Sequence, residues 1–169
     1  MTDLKNSDGK RRYWLMKSEP GTFSFKDLMR AKNRTTSWEG VRNYQARNFM
    51  RDFFKLGDLA LYYHSNIDEP GAFGIVEVAR EGYPDPFAFD KSSKYFDEDG
   101  WKKGQNPWVM VDVTALYEFK TPVTLKMMAL EKGLKEMMVL KRGARLSVQP
   151  VTPKEFEIVA ELGGAKKIS

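Results

Sequence analysis

Between Ser37 and Arg51 the chain reads SWEGVRNYQARNFMR. Trp38 offers a flat apolar face, and Asn43, Gln45 and Asn48 each carry both donors and an acceptor. Arg42, Arg47 and Arg51 carry planar forks that match phosphate oxygens. A nucleic-acid base needs a stacking plane and a hydrogen-bonding edge, and its backbone needs cations. The stretch has no thiol and no metal-ligand pair. Its make-up points to a pocket that holds a base, with no chemistry performed on it.

The rest of the chain is poor in reactive groups. It has one histidine, His64, and no cysteine, so a zinc site would have to draw its remaining ligands from carboxylates alone. No nucleophile-elbow pattern accompanies His64, which reads as a hydrogen-bonded structural residue first and a pocket contact second. Asp97, Glu98 and Asp99 form an acidic run that reads as a solvated loop, without EF-hand or Walker spacing. No catalytic residue, metal ligand or cofactor is expected.

A chain of 169 residues, 41% hydrophobic and 13% aromatic, fits one domain with its own core. Twenty-eight Lys and Arg against 23 Asp and Glu give a net charge of +5, which permits a polyanionic partner. No run approaches the roughly 20 apolar residues of a membrane helix, and MTDLKNSDGKRR at the start lacks the apolar core of a secretory signal. Residues 1–12 read as a flexible basic arm, 13–163 as the folded domain and 164–169 as a disordered tail. A cytoplasmic location with no membrane partner is the expectation.

The elements that must carry the Trp38 segment follow from local pattern. Tyr13–Met16 reads as a first strand, ended by Lys17-Ser18-Glu19-Pro20-Gly21. Ser24 and Asp27 form a capping box for a helix to Ala31. Lys32–Thr36 reads as a polar loop. Ala46, Phe49, Met50 and Phe53 make one apolar stripe of a helix over 43–54, which turns Arg47 and Arg51 outward. Leu59–Tyr63, Phe73–Ala79, Trp108–Tyr117 and Ala144–Gln149 read as strands. Gly82–Gly104 reads as a long functional loop. Helices are expected after Thr124, over Leu134–Leu140, and after Thr152, where Pro153 and Glu155 complete a capping box. This α+β pattern, without βαβ alternation, suits a mixed sheet curled into a barrel.

YWLMKSEP (13–20), SWEGVRNYQARN (37–48), YYHSN (62–66), YPDP (83–86), NPWVMVDV (106–113) and RLSVQPV (145–151) together resemble the EVE domain family, in the family's order and across nearly the whole domain. The resemblance implies a PUA-like mixed-strand pseudo-barrel with flanking helices, related to YTH and ASCH domains. It also implies recognition of a modified base, cytosine derivatives in DNA above all, or modified or structured RNA. Bacterial members are associated with restriction of modified DNA. A nuclease partner would then act in trans, since this chain resembles the recognition part alone.

A reader of this kind must extrude its base or take it from a single strand. Trp38 is the leading stacking face, and it matches the position of a cage tryptophan in YTH domains. Tyr83 and Trp108 are the candidates for the facing wall, while Trp14 reads as core. Ser18, Glu19, Asn43, Ser65 and Asn66 are candidates for reading the base edge, with Glu19 accepting from an amino group. Val41 is a candidate for the slot around a methyl group, and Ser147 shares a strand face with Arg145. Arg42, Arg47, Arg51 and Arg145 are the candidate phosphate contacts, Arg145 alternatively bracing the pocket through an ion pair. A third reading, an enzyme acting on a nucleoside or base, would use Glu19 or Asp85 as its acid–base group.

Overall fold

The computed structural model describes residues 10–166. Its frame is six strands: β1 (Tyr13–Ser18), β2 (Thr35–Trp38), β3 (Leu59–His64), β4 (Gly71–Pro84), β5 (Val109–Thr124) and β6 (Val148–Val151). They form one mixed sheet in the order β2-β5-β4-β3-β1-β6. β1 runs parallel to β3, with Leu15 beside Leu61, and every other pairing is antiparallel. Shifts of register recur along β4 and β5. Such bulges bend a strand and raise its twist.

The bending rolls the sheet. Trp38 on the β2 edge packs edge-on against Tyr62 of β3, 5.3 Å between ring centroids, although β5 and β4 separate those strands within the sheet. The roll stops short of closure, because β2 and β6 remain unpaired edges. Inside it lies one apolar cluster built from Trp14, Met16, Tyr62, Val76, Val113 and Val148. The alternate residues, Leu15, Leu61, Tyr63 and Ile75, face a second cluster with Met128, Phe156 and Val159. β3 is buried on both faces, which is why its sequence is a continuous apolar run. Each such fully buried aliphatic side chain stabilises the fold by about 1.5–3 kcal/mol before entropy is charged.

Helices flank the roll. α1 (Phe25–Arg30) starts at the Ser24–Asp27 capping box and α5 (Pro153–Leu162) at the Thr152–Glu155 box. α2 (Tyr44–Asn48) is capped by Asn43, whose side-chain oxygen accepts the Ala46 N–H. Its continuation, Phe49–Phe53, is a π-helical turn, so the stripe expected over 43–54 exists but is wound unevenly. α3 (Glu98–Lys103) and α4 (Leu125–Leu130) complete the set.

Several expectations need correcting. Thr35 and Thr36 belong to β2 and not to a loop, because β5 supplies backbone partners that the polar sequence does not advertise. β4 runs on to Pro84, and the expected 82–104 loop holds a 3-10 turn and α3. In place of a helix over Leu134–Leu140 there are two 3-10 turns, Lys132–Leu134 and Met138–Leu140. Strand structure begins at Val148, not Ala144, and passes through Pro150, which an edge strand tolerates. Within the expected tail, Ala165 is buried and the Gly164 carbonyl accepts the Tyr117 hydroxyl. Within the expected arm, Arg12 docks: its N–H donates to Asp58 and its guanidinium to the Phe53 carbonyl. Residues 1–9 and 167–169 of those two segments lie outside the described residues.

Candidate functional site

The open seam of the roll holds a cavity of about 450 Å³, within the range of roughly 300–1,000 Å³ common for ligand sites. One side is the end of β2 and its exit, Thr36 to Val41. The other is Lys17, Ser18 and Glu19 at the end of β1, with Ser147 just before β6. Thr22, Phe23, Lys94 and Tyr95 complete the lining.

Trp38 is 9% exposed. Tyr62 holds its edge from the core, and the cavity takes what remains. Val41 is buried beside it. Gly40 lies between them at φ +81, with its amide donating to Asp85 Oδ2 over 3.0 Å. A β-carbon at Gly40 would fall 2.4 Å from Tyr95 Cζ. Glycine therefore satisfies both the left-handed backbone and the approach of the ring.

The polar rim is anchored from behind. The Ser18 hydroxyl donates to the Phe23 carbonyl (2.6 Å), and the Ser18 carbonyl accepts the Ser65 N–H (2.9 Å). Asn66, at φ +55, donates through Nδ2 to Glu19 Oε1 (2.7 Å) and so fixes an otherwise exposed carboxylate. Glu39 accepts from the Ser37 hydroxyl at 2.8 Å. Lys17 Nζ reaches the Ala144 carbonyl at 3.3 Å, and burial pushes its pKa down.

Of the residues singled out from sequence, Ser18, Glu19, Trp38, Val41 and Ser147 line this one cavity. Ser65 and Asn66 stand behind Ser18 and Glu19. Asn43 is occupied as the α2 cap. Tyr83 lies elsewhere. Its hydroxyl donates to Asp112, and the Arg80 guanidinium sits 3.5 Å over its ring. Burial and the Asp112 carboxylate push its pKa up to about 12. Trp108 is buried, donating from Nε1 to Asp97 (2.8 Å) and stacking on Tyr44 at 4.8 Å. Neither reaches the cavity, whose aromatic lining besides Trp38 is Phe23 and Tyr95. No local pattern marked Tyr95 in the sequence, since its position depends on the Gly40 backbone some fifty residues away.

The arginines differ in their freedom. Arg42 spends four N–H contacts inside the fold, on Asp85, the Val41 carbonyl and, twice, the Tyr95 carbonyl. The fork expected on phosphate is thus turned onto protein acceptors in and behind the cavity wall. Arg47 bonds the Pro107 carbonyl and Asn48 while lying 4.9 Å over the Tyr44 ring. Arg51 pairs with Asp52 at the surface. Arg145 is exposed, in no salt bridge among the described residues, and two positions from Ser147 of the cavity wall.

His64 and Asp85 are structural in their contacts. His64 is buried, stacks on Phe73 at 3.9 Å and accepts the Phe25 N–H. Asp85 is fully buried and does not line the cavity. Among the described residues no three His, Cys, Asp or Glu side chains gather in a metal-binding group, and no helix is long and apolar enough to cross a membrane.

Known proteins are similar to this chain in sequence and fold. Thymocyte nuclear protein 1 of Gallus gallus is 43% identical over 168 residues, covering 89% of this chain and 68% of that protein. The Homo sapiens protein of the same name is 41% identical, covering 89% and 73%. The solved structure of human THYN1 in complex with DNA containing 5-methylcytosine superposes with a TM-score of 0.82 at 39% identity, covering 92% of this chain and 99% of that one. A hypothetical protein from Leishmania major gives a TM-score of 0.84 at 43% identity, covering 92% and 96%. An ASCH protein from Zymomonas mobilis shares the fold alone, with a TM-score of 0.51 at 9% identity. The α+β fold is thus the PUA-like one that the sequence resemblance implied. The EVE domain family model matches residues 12–162, and the chain belongs to the EVE domain family.

Proposed function

We propose that this chain is a non-catalytic reader of a modified base in DNA, with cytosine derivatives first, and that the base lodges in the seam cavity. The observation that carries this reading is the cavity's lining: the aromatic residues Trp38, Tyr95 and Phe23, an apolar slot at Val41, and a polar rim at Ser18 and Glu19. The complex of human THYN1 with methylcytosine-containing DNA favours DNA over RNA as the polymer.

A base held there has left its stack. Trp38 and Tyr95 replace the lost stacking, at about 1–3 kcal/mol per base. Glu19, held by Asn66, accepts from the exocyclic amino group, and Val41 packs against the substituent. A methyl group in a dry slot contributes only about 1 kcal/mol, so preference depends on fit as well as on area. Lys94 at the rim and Arg145 beside Ser147 meet the flanking phosphates, with Arg47 and Arg51 further out. Any cleavage of the bound DNA belongs to a nuclease acting in trans. The relatives' name speaks of a nucleus, and a DNA reader works wherever its DNA lies.

The test is a titration of labelled duplexes carrying cytosine, 5-methylcytosine or 5-hydroxymethylcytosine at one position, with matched RNAs alongside. A 2-aminopurine next to the target base reports extrusion as a rise in fluorescence. The expected result is tighter binding of a modified duplex together with that rise. Equal affinity for all three duplexes rejects the reading, and tighter binding of the RNAs transfers it to RNA.

A further inference from the structure

Asp85, fully buried, and Arg42, partly buried, form an ion pair that neither phosphate contact nor acid–base chemistry accounts for. Asp85 is fully buried, and its Oδ2 accepts both the Gly40 N–H (3.0 Å) and Arg42 Nη1 (2.9 Å). Arg42 in turn donates from Nε and Nη2 to the Tyr95 carbonyl at 3.0 and 2.9 Å. Its guanidinium lies between the rings of Tyr95 (5.4 Å) and Trp108 (5.3 Å). One ion pair therefore grips two separate pieces of the cavity wall: the Gly40 backbone that follows Trp38, and the backbone of Tyr95. Between them Gly40 and the Tyr95 ring are already in van der Waals contact.

We infer that the Asp85–Arg42 pair sets the gap between the Trp38–Val41 segment and Tyr95, and that this gap selects among the substituents a base carries. The inference rests on the base-reading proposed above. Neither partner is needed as a ligand contact: Asp85 is outside the cavity lining, and both act through the residues they hold. The pair suits this task because its bonds are well defined and, with Asp85 fully buried, separating the partners leaves an uncompensated carboxylate. Cytosine, methylcytosine and hydroxymethylcytosine differ by one heavy atom at each step. A wall displaced by a fraction of an ångström then forfeits a good part of each contact on one substituent and relieves a clash on the next.

The experiment compares wild type, Asp85→Asn and Arg42→Lys, each as the full chain. Melting curves establish that each folds. In the free proteins, the nuclear Overhauser contact between Gly40 Hα and the Tyr95 ring reads the gap directly. It should be strong in wild type and weak or lost in both variants. The three duplexes are then titrated at several salt concentrations. The ratio of affinities between methyl- and hydroxymethylcytosine should move about tenfold, the scale of one misfitted methylene, while the salt slope stays that of wild type. An intact Gly40–Tyr95 contact with unchanged ratios overturns the inference. So does a salt slope that falls by about 0.9 in Arg42→Gln, run alongside because it removes the charge, which would make Arg42 a phosphate ligand. Should Asp85→Asn not fold, Arg42→Lys carries the same test, because it keeps a cation beside Asp85 and removes the fork on Tyr95. If wild type binds all three duplexes alike, the base-reading fails, and the Overhauser comparison still decides whether the pair fixes the gap.

Discussion

The Nε2 atom of His64 accepts the backbone N–H of Phe25 across 3.1 Å. Phe25 is the first residue of α1, so a buried ring on β3 satisfies an amide that the helix itself leaves unpaired. Acceptance at Nε2 requires the neutral imidazole with its proton on Nδ1.

This pairing gives stability a pH dependence. Burial lowers the His64 pKa below its ordinary 6.5, so between the two values the unfolded chain binds a proton that the native chain does not. The stabilisation is complete above about pH 6.5 and is lost as pH falls toward the lowered native value. Asp27, Asp90 and Asp97 are held below 3.8 by hydrogen bonds and act in a separate, more acidic window. Thermal midpoints from about pH 8 to about pH 5 should fall more for wild type than for His64→Gln. Parallel curves would remove His64 from the account.

Trp38→Ala should damage both stability and recognition. The indole packs on Tyr62 and is nearly covered, so its loss should cost about 3–5 kcal/mol in a urea titration. At temperatures where the variant is folded, preference for the modified duplex should drop roughly tenfold, in line with one lost stacking plane. Weak, salt-sensitive binding should persist. Full discrimination by this variant would move the base to another place on the protein.

Gly40→Ala tests the close approach at the cavity wall. Its φ of +81 is strained for alanine, and the new methyl would meet the Tyr95 ring. About 1–3 kcal/mol of stability should be lost, together with affinity for the modified duplex. Pairing it with Tyr95→Ala should restore part of the stability by making room. No restoration would mean that the backbone strain, and not the ring, dominates.

Lys94→Gln and Arg145→Gln should each lower the salt slope of DNA binding by roughly 0.9 while leaving the preference among bases intact. Arg51→Gln should do less, because Asp52 already shares its charge. A loss of base preference in Lys94→Gln would place that lysine in the pocket and off the backbone.

What was legible in the sequence was local. Ser24 with Asp27 and Thr152 with Glu155 each complete a bond pattern within four residues, and both boxes form as read. The apolar run Leu59–Tyr63 needs no partner to announce a strand buried on both sides. What escaped depends on distant neighbours. Thr35 and Thr36 become strand because Thr114 and Val113 lie beside them. Ala144 to Leu146 stays irregular, although its composition suits a strand. The cavity was half visible: Trp38, Val41, Ser18, Glu19 and Ser147 could be named, but its other aromatic residues, Phe23 and Tyr95, could not. Tyr83 and Trp108 were candidates for the facing wall, yet Asp112 and Asp97 draw their polar ends into the fold. Arg42 shows the same limit, since the sequence displays a cation but not the buried Asp85 waiting for it.

The unpaired edges of β2 and β6 have a consequence for energetics as well as for access. A closed barrel shares strain evenly around its hoop, whereas this one has a single unstitched join, and the cavity is that join. Whatever lodges there spans Ser37 on one lip and Ser147 on the other, in the place where a further strand would complete the hoop. Occupancy should therefore stiffen the whole roll. Amide exchange should slow along β2 and β6 on binding, far more than along β3, which is paired on both sides.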